Sequence, residues 1–170
     1  EDAIVEVVVW GEPLGASWDS TWSDFISPTM VGCSKDSAYL NWRYVEHPTF
    51  TYEIRLAREK SSGRALGLTV FRVEQIRDRD ERILRVVEFL STAEVEGPLA
   101  QAVAQAARDQ GVTFADFYCT SNEAARALES IGFKRAASSE SGPQFPSLFQ
   151  PLEFGEFCLN GTFWLSDRLH

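Results

Sequence analysis

Residues 82–136 read RILRVVEFLSTAEVEGPLAQAVAQAARDQGVTFADFYCTSNEAARALESIGFKRA, and the order of elements inside this stretch decides the fold. ILRVVEFLST (83–92) is rich in β-branched and other apolar residues and predicts a strand. GPLAQAVAQAARDQG (97–111) predicts a helix. Pro98 stands near its start, Leu99, Val103 and Ala106 or Ala107 form a stripe, and Gly111 closes it. FADFYCT (114–120) predicts another strand. SNEAARALESIG (121–132) predicts a second helix, capped by Ser121 or Asn122 and ended by Gly132. FKRAA (133–137) is a short strand. The pattern over this half of the chain is α/β.

The preceding residues follow a different rule. YEIRLARE (52–59) alternates, with Tyr52, Ile54 and Leu56 on one face and Glu53 and Arg55 on the other. ALGLTVFRVEQI (65–76) is a longer strand. The short polar turns SSGR (61–64) and RDRDER (77–82) join these strands to 83–92, so an antiparallel meander is expected. Upstream, KDSAYLNWRYVEHP (35–48) predicts a helix capped by Asp36 or Ser37, with Tyr39, Leu40, Tyr44 and Trp42 supplying its apolar face and Pro48 its end. DSTWSDFIS (19–27) predicts a short helix capped by Asp19 or Ser20, with Trp18, Trp22 and Phe25 on one face. EDAIVEVVVW (1–10) predicts the first strand. Residues 138–152 hold three prolines and read as a surface loop. EFCLNGTFWLS (156–166) reads as a last strand or a hairpin turning at Asn160-Gly161.

A chain of 170 residues with 44% hydrophobic and 24% charged residues suits one soluble domain with a real core. The formal net charge of -9 repels phosphate backbones, so neither nucleic acid nor an anionic membrane surface is an expected partner. No apolar run reaches the ~20 residues of a membrane-spanning helix. Cys33, Cys119 and Cys158 are odd in number and widely spaced, which builds neither a disulfide framework nor a zinc site. With His47 and His170 the only histidines, no metal site is expected, and a reducing cytoplasm is the expected location.

The order of elements resembles the GNAT superfamily of acyl-CoA-dependent N-acetyltransferases. Two segments carry the resemblance. Leu99 to Gly111, ending Ala107-x-x-x-Gly111, resembles the superfamily's first crossover helix. NEAARALESIGFKRA resembles its late N-x-x-A…G-F segment through Asn122, Ala125, Leu128, Gly132 and Phe133. DSAYLNWRYVEHPTFTYEI (36–54) also resembles the start of a bacterial subgroup often found as one half of a longer chain. The implied fold is α/β (α+β): a mixed, mostly antiparallel sheet with helices on both faces. It would form a single domain over 1–170, with a core near 20–138 and residues 139–170 as loop and terminal strands.

The resemblance also assigns residues. Glu88, a carboxylate inside an apolar strand, suits a general base that deprotonates an amine. Its structural alternative is a glutamate paired with Arg85, Arg72 or Arg55. The backbone of Phe89, Leu90 and Ser91 would pair with the pantetheine arm of acetyl-CoA or another acyl-CoA. The turn before Gly97 and Pro98 would take the pyrophosphate, and Asn122 is the matched late-helix asparagine. Glu129 occupies the place of a tyrosine that protonates the leaving thiolate in many members. Trp42, Arg43, His47 and Tyr52 lie in the region that frames the acceptor. For His47 the structural alternative is a helix C-cap cation, and for the aromatics it is core packing.

The chain departs from the family pattern at the phosphate turn as well as at Glu129. Matching Ala107 and Gly111 places the phosphate-cradling turn at Ser91–Glu96, where the two family glycines become Glu94 and Glu96. Glutamates there meet a pyrophosphate as like charges, and a β-carbon hinders the close approach that glycine permits. Two readings therefore stand open. One is an acyltransferase moving an acyl group from acyl-CoA to a small-molecule amine. The other is a catalytically inactive domain of the same fold that binds a partner protein or domain, with a homodimer as one form of that association.

Overall fold

The computed structural model describes residues 4–76, 78–119 and 121–135, and the backbone of 162–166. In chain order these are β1 (Val5–Trp10), α1 (Ala16–Thr21), α2 (Ser37–Leu40), β2 (Glu53–Glu59), β3 (Ala65–Gln75), β4 (Arg82–Ser91), α3 (Glu96–Asp109), β5 (Phe114–Tyr118), α4 (Asn122–Glu129), β6 (Lys134–Arg135) and β7 (Thr162–Ser166). One seven-stranded sheet runs in the order β1-β2-β3-β4-β5-β7-β6. Short turns join β2, β3 and β4 into the expected antiparallel meander. β4 and β5 run parallel, as two strands joined by a crossover helix do. The expected mixed, mostly antiparallel sheet is what forms. The expected Asn160-Gly161 turn and the 138–152 loop lie outside the described residues.

The helices cover both faces. On one, α3 and α4 seal Leu84, Val86, Phe89, Phe71 and Phe117 beneath Leu99, Val103 and Leu128. Alanines at 100, 106, 107, 124, 125 and 127 let these two helices sit close to the strands and to each other. Both helices end in the same way. Gly111 (φ 57°) and Gly132 (φ 105°) adopt the left-handed conformation, and the next amides reach back to the carbonyls of Ala107 and Leu128. Ser121, not Asn122, caps α4, accepting from the Ala124 amide at 3.2 Å.

On the other face Trp18, Trp22, Ile26, Leu40 and Tyr44 pack over Ile54, Leu56, Leu68, Val70 and Leu90. Here the local expectations need correction. α1 is capped by Gly15, and Asp19 is used elsewhere, accepting from the Ser37 amide at 2.7 Å and hydroxyl at 2.8 Å. After Thr21 the chain widens into a π-helical turn, Trp22–Ile26. The wider turn breaks 3.6-residue spacing, so Ile26 is buried and Phe25 is 53% exposed. A second π-helical turn, Asn41–Val45, comes after α2 and leaves Trp42 65% exposed while Tyr44 is buried.

A β-bulge positions the site. β3 and β4 pair as Phe71↔Val86 and then Val70↔Glu88, so Val87 is an extra residue on β4. The simple strand phase puts Glu88 on the side of Leu84 and Val86. The bulge reverses that phase, so Leu84 and Val86 pack beneath α3 and α4 whereas Glu88 and Leu90 turn toward α1 and α2. Gly67 on β3 permits the close fit beyond the bulge. A β-carbon there would lie 2.8 Å from the Leu90 carbonyl oxygen and 2.9 Å from the Ser91 α-carbon.

Candidate functional site

β4 is paired unequally on its two sides. Its bonding to β3 runs to Ser91, whereas its bonding to β5 ends at Val86↔Phe117. The stretch Val87–Ser91 therefore has no pairing partner on β5, which itself ends at Tyr118. Phe89 and Leu90 of that stretch are buried. The bulge stands where the pairing with β5 ends, and Glu88 is the next residue along the strand.

Glu88 is buried and receives two donors on a single oxygen. The Lys35 ammonium donates to Oε1 at 2.5 Å, and the Tyr44 hydroxyl donates to the same atom at 2.6 Å. The Thr69 hydroxyl fixes the backbone by donating to the Glu88 carbonyl at 2.9 Å. Burial pulls the Lys35 ammonium down, but the hydrogen bond and charge of Glu88 more than reverse this and hold it above the ordinary lysine value. Burial first, then the Glu88 charge, raises the Tyr44 phenol far above its ordinary value, so Tyr44 remains a donor. Each arginine considered as a partner for Glu88 has another carboxylate: Arg55 has Glu53, Arg72 has Glu74, and Arg85 has Asp116. Sequence reasoning placed Tyr44 in an apolar face and gave Lys35 no role. The missed signal is that a carboxylate between Val87 and Phe89 must find donors, and α2 is the element that covers it.

A line of ring contacts continues from Glu88. Tyr44 meets Tyr52 edge-on at 5.0 Å between centroids, and the Arg72 guanidinium donates to the Tyr52 hydroxyl at 3.1 Å. The same guanidinium lies 4.0 Å from the centroid of the Phe50 ring. His47 does not cap the helix: its Nδ1 accepts from the amides of Thr49 at 3.1 Å and Phe50 at 3.0 Å, which shapes the turn after Pro48. Trp42 faces solvent beside Tyr39, and the Arg43 guanidinium lies 5.5 Å from the Tyr44 ring centroid. Tyr52 thus joins the Glu88 cluster directly, His47 packs on Tyr52 at 5.5 Å, and Trp42 stands outside it.

Other expected residues lie apart. Glu129 is on α4, across the sheet from the Glu88 carboxylate, and pairs with Arg135 at 3.2 Å. Asn122 is exposed in the first turn of α4. Gly97 and Pro98 occupy the first turn of α3, and a β-carbon at Gly97 would meet nothing within 4 Å. Just before them, the Glu94 carboxyl is held below the usual carboxylate range, chiefly by its own backbone amide. The turn ahead of α3 therefore carries an exposed acidic side chain.

A meander running into a parallel strand pair through a crossover helix, with a bulge in β4, matches the fold of solved GNAT acetyltransferases. No protein-family model matches the chain, and no curated protein matches it in sequence. Solved structures match it in fold. Glucosamine-6-phosphate N-acetyltransferase from Arabidopsis thaliana aligns at 13% identity and a TM-score of 0.54, over 81% of this chain and 97% of that one. A NatC complex solved with a Gag peptide and CoA contributes a chain at 14% identity and TM-score 0.55, covering 95% of this chain and 98% of that one. A tandem GNAT protein from the clavulanic acid biosynthesis pathway aligns at 14% identity and TM-score 0.57, over 78% of this chain but 44% of its own length. Among the described residues no helix is long and apolar enough to cross a membrane.

Proposed function

We propose that the chain is an acyltransferase of GNAT fold that accepts an acyl thioester along the part of β4 beyond its pairing with β5 and passes the acyl group to an amine on the α1–α2 side. The observation that carries this reading is the bulge at Val87, which sets the buried Glu88 carboxylate at the start of that unpaired part of β4. The residues fit the arm of an acyl-CoA along Val87–Ser91, where the backbone of Phe89, Leu90 and Ser91 would bind it. Gly97 and Pro98 would lie at its phosphate end, with Asn122 at the first turn of α4. Acyl-CoA supplies the activated carbonyl. Among the chain's residues, Glu88 holds the incoming ammonium and takes its proton, which frees the nitrogen lone pair for attack; the new C–N bond replaces the thioester C–S bond, and the second proton lost from nitrogen leaves on the released thiol. In this structure Lys35 and Tyr44 both donate to Oε1. Tyr44, kept protonated, orients the carboxylate. Alignment of amine and thioester in a closed site supplies much of the rate. The acidic chain favours a cationic or neutral acceptor.

A second reading has its own observation. Glu94, exposed at the turn before α3, opposes a pyrophosphate by like charge. It supports a domain of GNAT fold that has lost CoA binding and serves as one half of a longer protein, in the manner of the tandem arrangement. Calorimetric titration with acetyl-CoA, with free CoA alongside, separates the two. Micromolar binding supports the acyltransferase, and no heat at millimolar ligand supports the module.

A further inference from the structure

We infer that the Lys35 ammonium occupies the acceptor-amine subsite of this domain, as an intrachain stand-in for a primary alkylammonium substrate. The inference rests on the acyltransferase reading and names the acceptor class for the same site. Lys35 lies at the end of the exposed stretch Met30–Ser34, at the entry to α2, and only its side chain turns inward, 15% exposed. Its Nζ meets three groups that together recognise R–NH3+. These are the Glu88 carboxylate at 2.5 Å, the Tyr39 hydroxyl at 3.5 Å and the face of the Tyr39 ring at 4.6 Å from its centroid. A carboxylate plus an aromatic face is a selective set for a primary ammonium. The ammonium approaches Glu88 on the end of an unbranched alkyl stem, the approach an aminoalkyl acceptor would take.

Burying an ion pair to stabilise a fold is an inefficient use of a core position, since desolvation cancels much of the attraction. The pair makes sense as a site kept filled. A tethered amine sits at an effective concentration in the millimolar range, so weak free amines are excluded and strong ones must displace it. The backbone of Lys35 is held independently, since its carbonyl accepts from the Trp18 indole at 2.7 Å. The side chain can therefore swing out without unseating the segment. The acceptor class this defines is a lysine side chain, a polyamine or another unbranched aminoalkyl group.

The test measures binding without any acyl donor, using the full chain, its Lys35→Ala variant and the double variant Lys35→Ala/Glu88→Gln. The probes are n-butylammonium and Nα-acetyl-lysine amide, followed by calorimetry, with circular dichroism checking the fold. Lys35→Ala is expected to bind both probes at least about tenfold more tightly than the unsubstituted chain, because the self-occupied fraction is removed. The double variant is expected to lose the gain. Equal binding by the unsubstituted chain and Lys35→Ala overturns the inference. So does a folded Lys35→Ala that takes n-butylammonium but rejects Nα-acetyl-lysine amide, since a slot that merely houses Lys35 has no room for the bulky end of an external acceptor. Should Lys35→Ala not fold, Lys35→Gln is judged by the same outcomes. If both probes bind yet acetyl-CoA yields no acylated amine, the acyl-transfer reading fails while the subsite stands.

Discussion

The ammonium of Lys35 and the carboxylate of Glu88 meet at 2.5 Å across 53 residues of sequence. The contact bridges the loop before α2 to the bulged strand β4, and it is made where the bulge has turned Glu88 away from the α3–α4 core. Because Glu88 raises the Lys35 pKa on folding, the stabilisation is complete below the unfolded lysine value near 10.5 and is lost as pH rises through the higher folded value. Lys35→Met, which strips a buried carboxylate of its counter-charge, is expected to cost about 3 kcal/mol at neutral pH. In urea melts the gap between this variant and the unsubstituted chain should stay level up to the lysine range and close above it.

Arg85 and Asp116 form the other deep pair. The guanidinium reaches both carboxylate oxygens, at 2.9–3.3 Å, between the parallel strands β4 and β5, and Asp116 is fully buried. Arg85→Ala should destabilise by about 3–5 kcal/mol, because Asp116 is left charged and enclosed. Replacing both partners by apolar residues should recover much of that loss in the same urea melts.

Gly67→Ala tests the seam between β3 and the end of β4. Its new methyl group would press on the backbone of Leu90 and Ser91 at 2.8–2.9 Å, atoms that cannot step aside without moving the strand. A loss of about 1–3 kcal/mol in thermal melts is expected. A free energy change near zero would mean that the end of β4 is more loosely held than this close approach implies.

The thiols should differ in reactivity. Burial pushes the Cys119 thiol up to about 11, whereas Cys33 is exposed. Iodoacetamide at neutral pH is expected to label Cys33 quickly and Cys119 slowly, with Cys119 reaching the rate of Cys33 only on unfolding. Peptide mapping by mass spectrometry reads both sites, and fast labelling of native Cys119 would refute its enclosure.

Much of this architecture is legible in the sequence. Alternation in 52–59, the β-branched runs of β3 and β4, and the glycine-ended helices at 97–111 and 121–132 specify the meander and the crossover. The departures share a cause. Periodicity assumes regular elements, and the irregularities that matter here are the π-helical turns at Trp22–Ile26 and Asn41–Val45 and the bulge at Val87. Each irregularity rotates the side chains beyond it, which is why Phe25 and Trp42 are exposed and why Glu88 changes face. Nothing local in VVEFL announces the extra residue. The site suffered most, since the partners of Glu88 come from the α2 region and its preceding loop, and long-range pairing is invisible to spacing. The arginines that looked suitable are engaged by Glu53 and Glu74, each two residues away on the same strand, and by Asp116, which the β4–β5 register brings opposite Arg85.

Glu88, as proposed, draws a proton from an amine beside an acyl thioester held along the part of β4 beyond its pairing with β5. Amine-dependent thiol release from acetyl-CoA, measured for the unsubstituted chain and for Glu88→Gln with a primary alkylamine as acceptor, tests this role most directly. Release is predicted to require the amine and to fall by about 10²–10⁴-fold in a folded Glu88→Gln, the usual contribution of a positioned base. Release unaffected by Glu88→Gln, or no release together with no acetyl-CoA binding, would contradict it.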